Sequence, residues 1–329
     1  MPLIASIAKF GVRRTAVLLL ANYCLLSSFA WAADTPAAPD KIAIVVSENT
    51  EAYNQVAERL RVRFELENPE RARFITIPAQ SLDSINRETL ASYQLVVSVG
   101  VRAATLVNNF DLRVPLLNTL IPRIAYDQLL LAKPGAGKNI SAIYIDQPVS
   151  RQLALLRLTA PQANHVGALL GKDSAAAARG LEQAARAQGL QMELEILKSP
   201  EELPSSLRRM LARSDALLAL PDAQVYNQST LQAILLNAYR GGVPVFGFSA
   251  AQVKAGALAA VYSTPEQIGN QAAEILLKAG DDNKWSLPPA QYPRYFEVAV
   301  NREVSRSLGM LVDEDIVLQE KLKRNGRSE

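Results

Sequence analysis

Short, continuously apolar runs alternate with longer amphipathic stretches along this chain, and the whole alternation is played through twice. The first series reads "KIAIVV" (41–46), "RFITIP" (73–78), "LVVSVG" (95–100) and "VPLLNT" (114–119). Between these runs, 51–68 carries Val56, Leu60 and Phe64 at helical spacing and closes at Pro69. Further helices are predicted around 85–93 and over 102–109. A strand that is apolar at every position, not every second one, is buried on both faces. Such strands form parallel sheets with helices packed on each side. After "AKPGAGKN" (132–139) the series restarts, with strands at 140–145, 165–171, 192–197, 216–221 and 243–248. Helices are predicted through 151–160, 175–189, 207–213 and 229–242. The fold class is α/β, in two units.

The units share a plan. Residues 93–119 and 214–249 each run apolar strand, small or polar turn, helix, Val-Pro strand. Two similar lobes follow, and in open sheets of this kind ligands bind outside the carboxyl ends of the strands. In "GALAAVYSTPEQIGNQAAEILLKAG" (256–280) a strand leads into a long helix. Thr264 is its predicted N-cap, with Pro265 at the first helical position and Glu266 in the first turn. A Pro-rich connection (287–293) precedes a last strand at 295–301, and the charged end "KLKRNGRSE" is expected to fray.

The first 32 residues read differently. Lys9, Arg13 and Arg14 precede an apolar stretch ending in Ala30-Trp31-Ala32. This pattern predicts a secretory signal cleaved after Ala32, export to the periplasm, and a disordered tether over 33–40. The chain of 329 residues carries 35 basic and 32 acidic residues. Three of the basic ones lie in the leader, so the remainder is balanced and gives no basis for nucleic-acid binding. The one cysteine, Cys24, is also in the leader. With a single histidine besides, no metal site or cofactor is expected.

Gly247-Phe248-Ser249-Ala250-Ala251 approaches the G-x-S-x-G elbow of serine hydrolases, whose order is serine, acid, histidine. The only histidine, His165, precedes Ser249, and a pairing with Lys254 matches no spacing rule. Hydrolysis is the weak reading. "PGAGKN" (134–139) lacks the first glycine and the hydroxyl of a phosphate loop and reads as a turn. What remains is a set of polar groups at strand ends. Ser47, Asn49 and Tyr53 follow the first strand; Gly100 and Thr105 follow the third. Asp222, Gln224 and Tyr226 follow 216–221, Ser249 follows 243–248, and Tyr262 with Ser263 ends the strand after it. Helix N-termini there suit a carboxylate, Asp222 suits an ammonium group, and the tyrosines suit aromatic walls.

Residues 243–280, with "ALLALPDAQVYN" (216–227), "VVSVGVRAATLV" (96–107) and 140–169, resemble the substrate-binding proteins of ABC transporters, in the branch that includes tryptophan- and tyrosine-type solute receptors. The resemblance implies a type I periplasmic-binding-protein fold: two Rossmann-like lobes with parallel sheets, joined by a three-crossover hinge. It places lobe 1 at 41–142 plus 263–292, lobe 2 at 143–262 plus 293–310, and a C-terminal helix or tail at 311–329. It implies a monomer that is not an enzyme and that captures a small molecule, with amino-acid-like solutes among the candidates, for an ABC permease and ATPase on separate chains. A sensor subunit signalling to a membrane kinase or chemoreceptor is the alternative. Tyr53, Thr105, Asp222 and Ser249 are the contacts it favours. The chain departs from the family's usual residues at 49–53 and 222–224, and "TLIPRIAYDQ" (119–128) replaces an Asp-Pro turn; Arg123 there could meet an anion.

Overall fold

The computed structural model describes residues 40–84, 87–110, 112–132, 139–281 and 284–325. The expected signal, nearly all of the tether, the turn at 134–138 and the last four residues lie outside them. The chain opens with strand β1 (Asp40–Val46), helix α1 (Glu51–Glu67), β2 (Ala72–Pro78), α2 (Arg87–Ala91), β3 (Leu95–Val99), α3 (Val101–Asn109), β4 (Leu116–Ile121), α4 (Arg123–Ala132) and β5 (Ile140–Tyr144). These strands form one parallel sheet in the order β2-β1-β3-β4-β5. Its burial follows from the unbroken apolar runs. Ile42, Ile44, Val97 and Leu117 share a core with Val56, Leu60 and Phe64 of α1. Ala43, Val45 and Val96 share another with Ala103 and Val107 of α3.

The second sheet is built from α5 (Val149–Thr159), β6 (His165–Leu170), α6 (Ala178–Ala187), β7 (Gln191–Ile196), α7 (Leu203–Leu211), β8 (Ala216–Leu218), α8 (Leu231–Arg240), β9 (Val245–Gly247), α9 (Ala250–Ala255) and β10 (Ala259–Tyr262). Helix α10 (Pro265–Ala279) then packs back against α1. A short ribbon of β11 (Gly280–Asp281) and β12 (Lys284–Trp285) follows, and β13 (Glu297–Val300) returns to the second sheet. The order there is β13-β10-β9-β8-β6-β7, with β13 antiparallel to β10. Helices α11 (Arg302–Ser307) and α12 (Asp315–Asn325) end the described chain. The chain thus passes between the sheets three times, near 145–148, at 263–264 and over 292–296.

Helix α10 starts as the sequence predicts. The Thr264 hydroxyl accepts from the Gln267 N–H while the Gln267 side chain accepts from the Thr264 N–H, with Pro265 at the first helical position. It lies so close to α1 that a Cβ on Gly269 would stand 2.7 Å from the Val56 carbonyl oxygen. The helix expected around 85–93 is present as the short α2, with a 3₁₀ turn (Ala79–Ser84) before it. Two expectations need correction. "TLIPRIAYDQ" is not a replacement loop: β4 continues to Ile121 and α4 starts at Arg123, anchored by buried Tyr126. Lys321 to Asn325 do not fray, because Leu318 and Leu322, one turn apart, bury themselves in the second core.

Candidate functional site

At the carboxyl edge of the first sheet, Ser47, Gly100 and Tyr53 come together. The Ser47 N–H donates to Val99 O at 3.0 Å, and its hydroxyl accepts from the Ala103 N–H at 2.9 Å in the first turn of α3. Gly100 holds φ +90°, and a Cβ there would lie 2.5 Å from Ser47 Oγ and 3.0 Å from Tyr53 Cζ. Glycine is thus required twice, by conformation and by space. Burial, then the Glu48 charge, raises the half-buried Tyr53 phenol above its usual pKa. Asn49 is exposed, its carbonyl accepting from Asn54 Nδ2 at 2.7 Å. Thr105 stands apart, exposed a turn into α3, its hydroxyl returned to Val101 O at 2.9 Å. Beside this group the end of β4 is irregular: Leu120 adopts φ 50° and the register with β5 shifts between Thr119 and Ile121.

At the second sheet the loops after β6 and β8 are locked together by buried Asp222. Its Oδ2 accepts from the Gly171 N–H at 2.6 Å and from the Ser174 hydroxyl. Its Oδ1 accepts from the Gln224 N–H at 2.9 Å and the Val225 N–H at 3.4 Å. Donors from the chain itself already occupy both oxygens, so Asp222 is a loop brace here and not the free ammonium partner the sequence suggested. Gln224 Oε1 accepts from the Lys172 N–H at 2.9 Å, a second tie between the same loops. Tyr226 is buried against Phe248 with ring centroids 6.3 Å apart, edge to face. Its Oη has no hydrogen-bond partner among the described residues. Burial, then the Asp222 charge, pushes that phenol's pKa well up. Tyr262 donates to Glu297 Oε2 at 3.3 Å across the β10–β13 pair.

Ser249 proves to be a helix cap. Its backbone is extended (φ −154°, ψ 155°) and its hydroxyl accepts from the Gln252 N–H at 3.3 Å. His165 opens β6, whereas Ser249 lies beyond the carboxyl end of β9. Registering β6 on β8 and β8 on β9 leaves the two about six residues apart along the strands. At about 3.3 Å per residue that is roughly 20 Å, too far for a base to reach a hydroxyl. The Ser249–His165 pair a hydrolase would need does not form.

Sequence reading placed Ser263 at a strand end but missed Gln147, its partner between the lobes. Gln147 Nε2 donates to Ser263 Oγ at 2.8 Å, and Ser263 Oγ donates to Tyr295 O at 2.6 Å. Gln147 follows β5 and Ser263 follows β10. All strands of the first sheet run with β5, and β6 to β9 run with β10. This contact therefore brings the carboxyl edges of both sheets to one junction. Arg123, expected to face an anion, is engaged there: its N–H donates to Asp146 Oδ2 at 2.7 Å and its Nη1 to Tyr292 Oη at 2.8 Å. Burial raises the Asp146 carboxyl to a pKa of about 6 despite hydrogen bonds from the Arg123 backbone and its own. The polar break Asp146-Gln147 ahead of Pro148, and Ser263-Thr264 ahead of Pro265, were the signals available.

Two parallel-dominated sheets linked by three passages define a two-lobed solute-binding architecture of the type I periplasmic class. The sequence pattern described as "ABC transporter substrate binding protein" matches residues 78–322. The chain belongs to this family of solute-binding proteins of ABC transporters. No curated protein matches it. Among solved structures it is similar to an L-Trp-bound ABC domain from Streptococcus pneumoniae (TM-score 0.61, 16% identity, 85% of this chain and 97% of that one covered). It is likewise similar to the ligand-free, open form of CD0873, a substrate-binding protein with adhesive properties from Clostridium difficile (TM-score 0.66, 19% identity, 84% and 97% covered). A periplasmic ribose ABC transporter protein from Conexibacter woesei shares the fold at TM-score 0.53 and 13% identity, with 83% and 95% covered. Among the described residues no helix is long and apolar enough to cross a membrane.

Proposed function

We propose that this chain is a monomeric periplasmic receptor that closes its lobes on a small molecule and delivers it to an ABC permease whose ATPase is a separate chain. The observation that carries the reading is the Gln147–Ser263 contact, which turns both carboxyl edges toward one junction. The first edge offers Tyr53, Asn49 and the first turn of α1, where the Thr50 side chain makes no cap bond and N–H groups can meet a carboxylate. The second offers Gln224, Ser249, Tyr262 and the Phe248–Tyr226 wall. With Asp222 engaged internally, recognition rests on hydroxyl, amide and backbone groups, which suits a neutral or carboxylate-bearing solute. The L-Trp held by the Streptococcus protein supports an amino-acid-like candidate.

A thermal-shift screen of amino acids, sugars, nucleosides and organic anions tests this. A ligand at 100 times its Kd adds about 2.7 kcal/mol, and for a chain of this size that raises Tm by roughly 4–5 °C. A screen in which no small molecule raises Tm contradicts the reading.

A further inference from the structure

The hydrogen bonds of the three passages show where each changes hands between lobes. On the first, the Ile145 N–H donates to Ile121 O at 3.0 Å and Asp146 accepts from Arg123, both in lobe 1. The next residue, Gln147, accepts from Arg151 of α5, in lobe 2, at 2.6 Å. On the second, Tyr262 is still paired in the lobe 2 sheet, whereas Thr264 already caps α10 in lobe 1. Only Ser263 lies between. On the third, the Arg294 N–H donates to Gln271 of α10 at 2.8 Å, and Tyr295 Oη donates to Glu274 at 2.7 Å. Phe296 O accepts from Gln319 of α12 at 2.5 Å, and its ring sits in the lobe 2 core. The hand-over points are therefore Asp146–Gln147, Ser263 and Tyr295–Phe296.

From this map we infer that Ser263 is the positioning residue of lobe rotation, joining the three hand-over points into one axis through the chain Gln147 Nε2–Ser263 Oγ–Tyr295 O. A hydroxyl has one proton to donate and lone pairs to accept with. Ser263 uses both, one toward each neighbouring passage. Arg151 braces the assembly: its Nη1 donates to Gln147 Oε1 and, at 3.1 Å, to Pro293 O, and its guanidinium lies 4.3 Å above the Phe296 ring. Without the Ser263 hydroxyl the second passage loses its tie to the other two, which Arg151 alone still links, so the lobes sample a wider range of angles. Where only part of that range can bind, apparent affinity falls by the competent fraction. That last consequence rests on the solute-binding reading; the axis itself does not.

The test needs no ligand. Spin labels at Asn109→Cys in α3 and Ala187→Cys in α6, with Cys24 replaced by Ser, report the interlobe distance in the unliganded protein. The axis predicts a distribution at least about twice as broad in Ser263→Ala as in the parent, the parent width in Ser263→Thr, which keeps the hydroxyl, and the broad form again in Gln147→Leu. Circular dichroism identifies any variant that fails to fold. Gln147→Leu then decides in place of Ser263→Ala. Parent-like widths in the folded variants overturn the inference, whatever the solute screen yields. A loss of stability common to all three, threonine included, with no change in width overturns it too.

Discussion

The Gly171 N–H donates to Asp222 Oδ2 at 2.6 Å and so ties the loop after β6 to the loop after β8. Removing the carboxylate strands a buried N–H and frees the Ser174 hydroxyl and the Gln224 N–H as well. Hydrogen bonds to a charged group are each worth about 1.5–3 kcal/mol, and orphaned buried donors add cost. Asp222→Ala is expected to lower unfolding stability by about 2–4 kcal/mol in urea titration. A loss under 1 kcal/mol would mean the loops are held by other means.

Gly100→Ala tests the first edge. Its φ of +90° is strained for any residue with a Cβ, and that Cβ would meet Ser47 Oγ at 2.5 Å. Such strain costs on the order of 1–3 kcal/mol. The expected outcome is a Tm several degrees lower together with weaker binding of whichever solute the screen identifies. Unchanged binding would remove the Ser47–Gly100–Tyr53 group from the site.

Asp146 gives the fold a pH dependence of definite sign. Its folded pKa, about 6, lies above the ordinary 3.8, so the native state holds its proton more tightly than the unfolded chain does. This contribution is fully favourable below the unfolded pKa and is lost as pH rises from about 4 to about 6. Asp146→Asn abolishes that dependence. Stability curves measured from pH 4 to 7.5 should fall less steeply for the variant than for the parent across this window. Superimposable slopes would show that Asp146 titrates normally.

Ser249→Ala removes an N-cap and is expected to cost about 1 kcal/mol, whereas Ser249→Asp, which also caps, should cost much less. Equal losses in the two variants would show that capping is not what Ser249 contributes to stability.

The framework was legible because its signal is redundant: unbroken apolar runs such as 42–46 and 95–97 can hardly be anything but doubly covered strands. Capping chemistry at Thr264 was equally local. Residue roles at the edges were not local. Nothing near Asp222 in the chain announces that Gly171 and Ser174, some fifty positions earlier, consume its lone pairs. Thr105 sits at the right distance from a strand end but on the solvent side of its helix, a difference of rotation that a short apolar pattern does not resolve. The Gln147–Ser263–Tyr295 chain draws on three segments, 116 and 32 positions apart, so only the folded topology reveals it.

Tyr226 separates stability from recognition. Its hydroxyl is buried with no partner among the described residues, so the folded chain carries the desolvation cost of that group without a compensating bond. Tyr226→Phe keeps the ring that meets Phe248 edge to face and deletes only the oxygen. Unfolding stability should therefore stay level or rise by up to about 1 kcal/mol, the reverse of most buried substitutions. If a bound solute satisfies this hydroxyl, the same variant weakens binding about five- to tenfold while its Tm does not fall. Lower stability with unchanged affinity would place a structural partner on Tyr226 Oη and take it out of recognition.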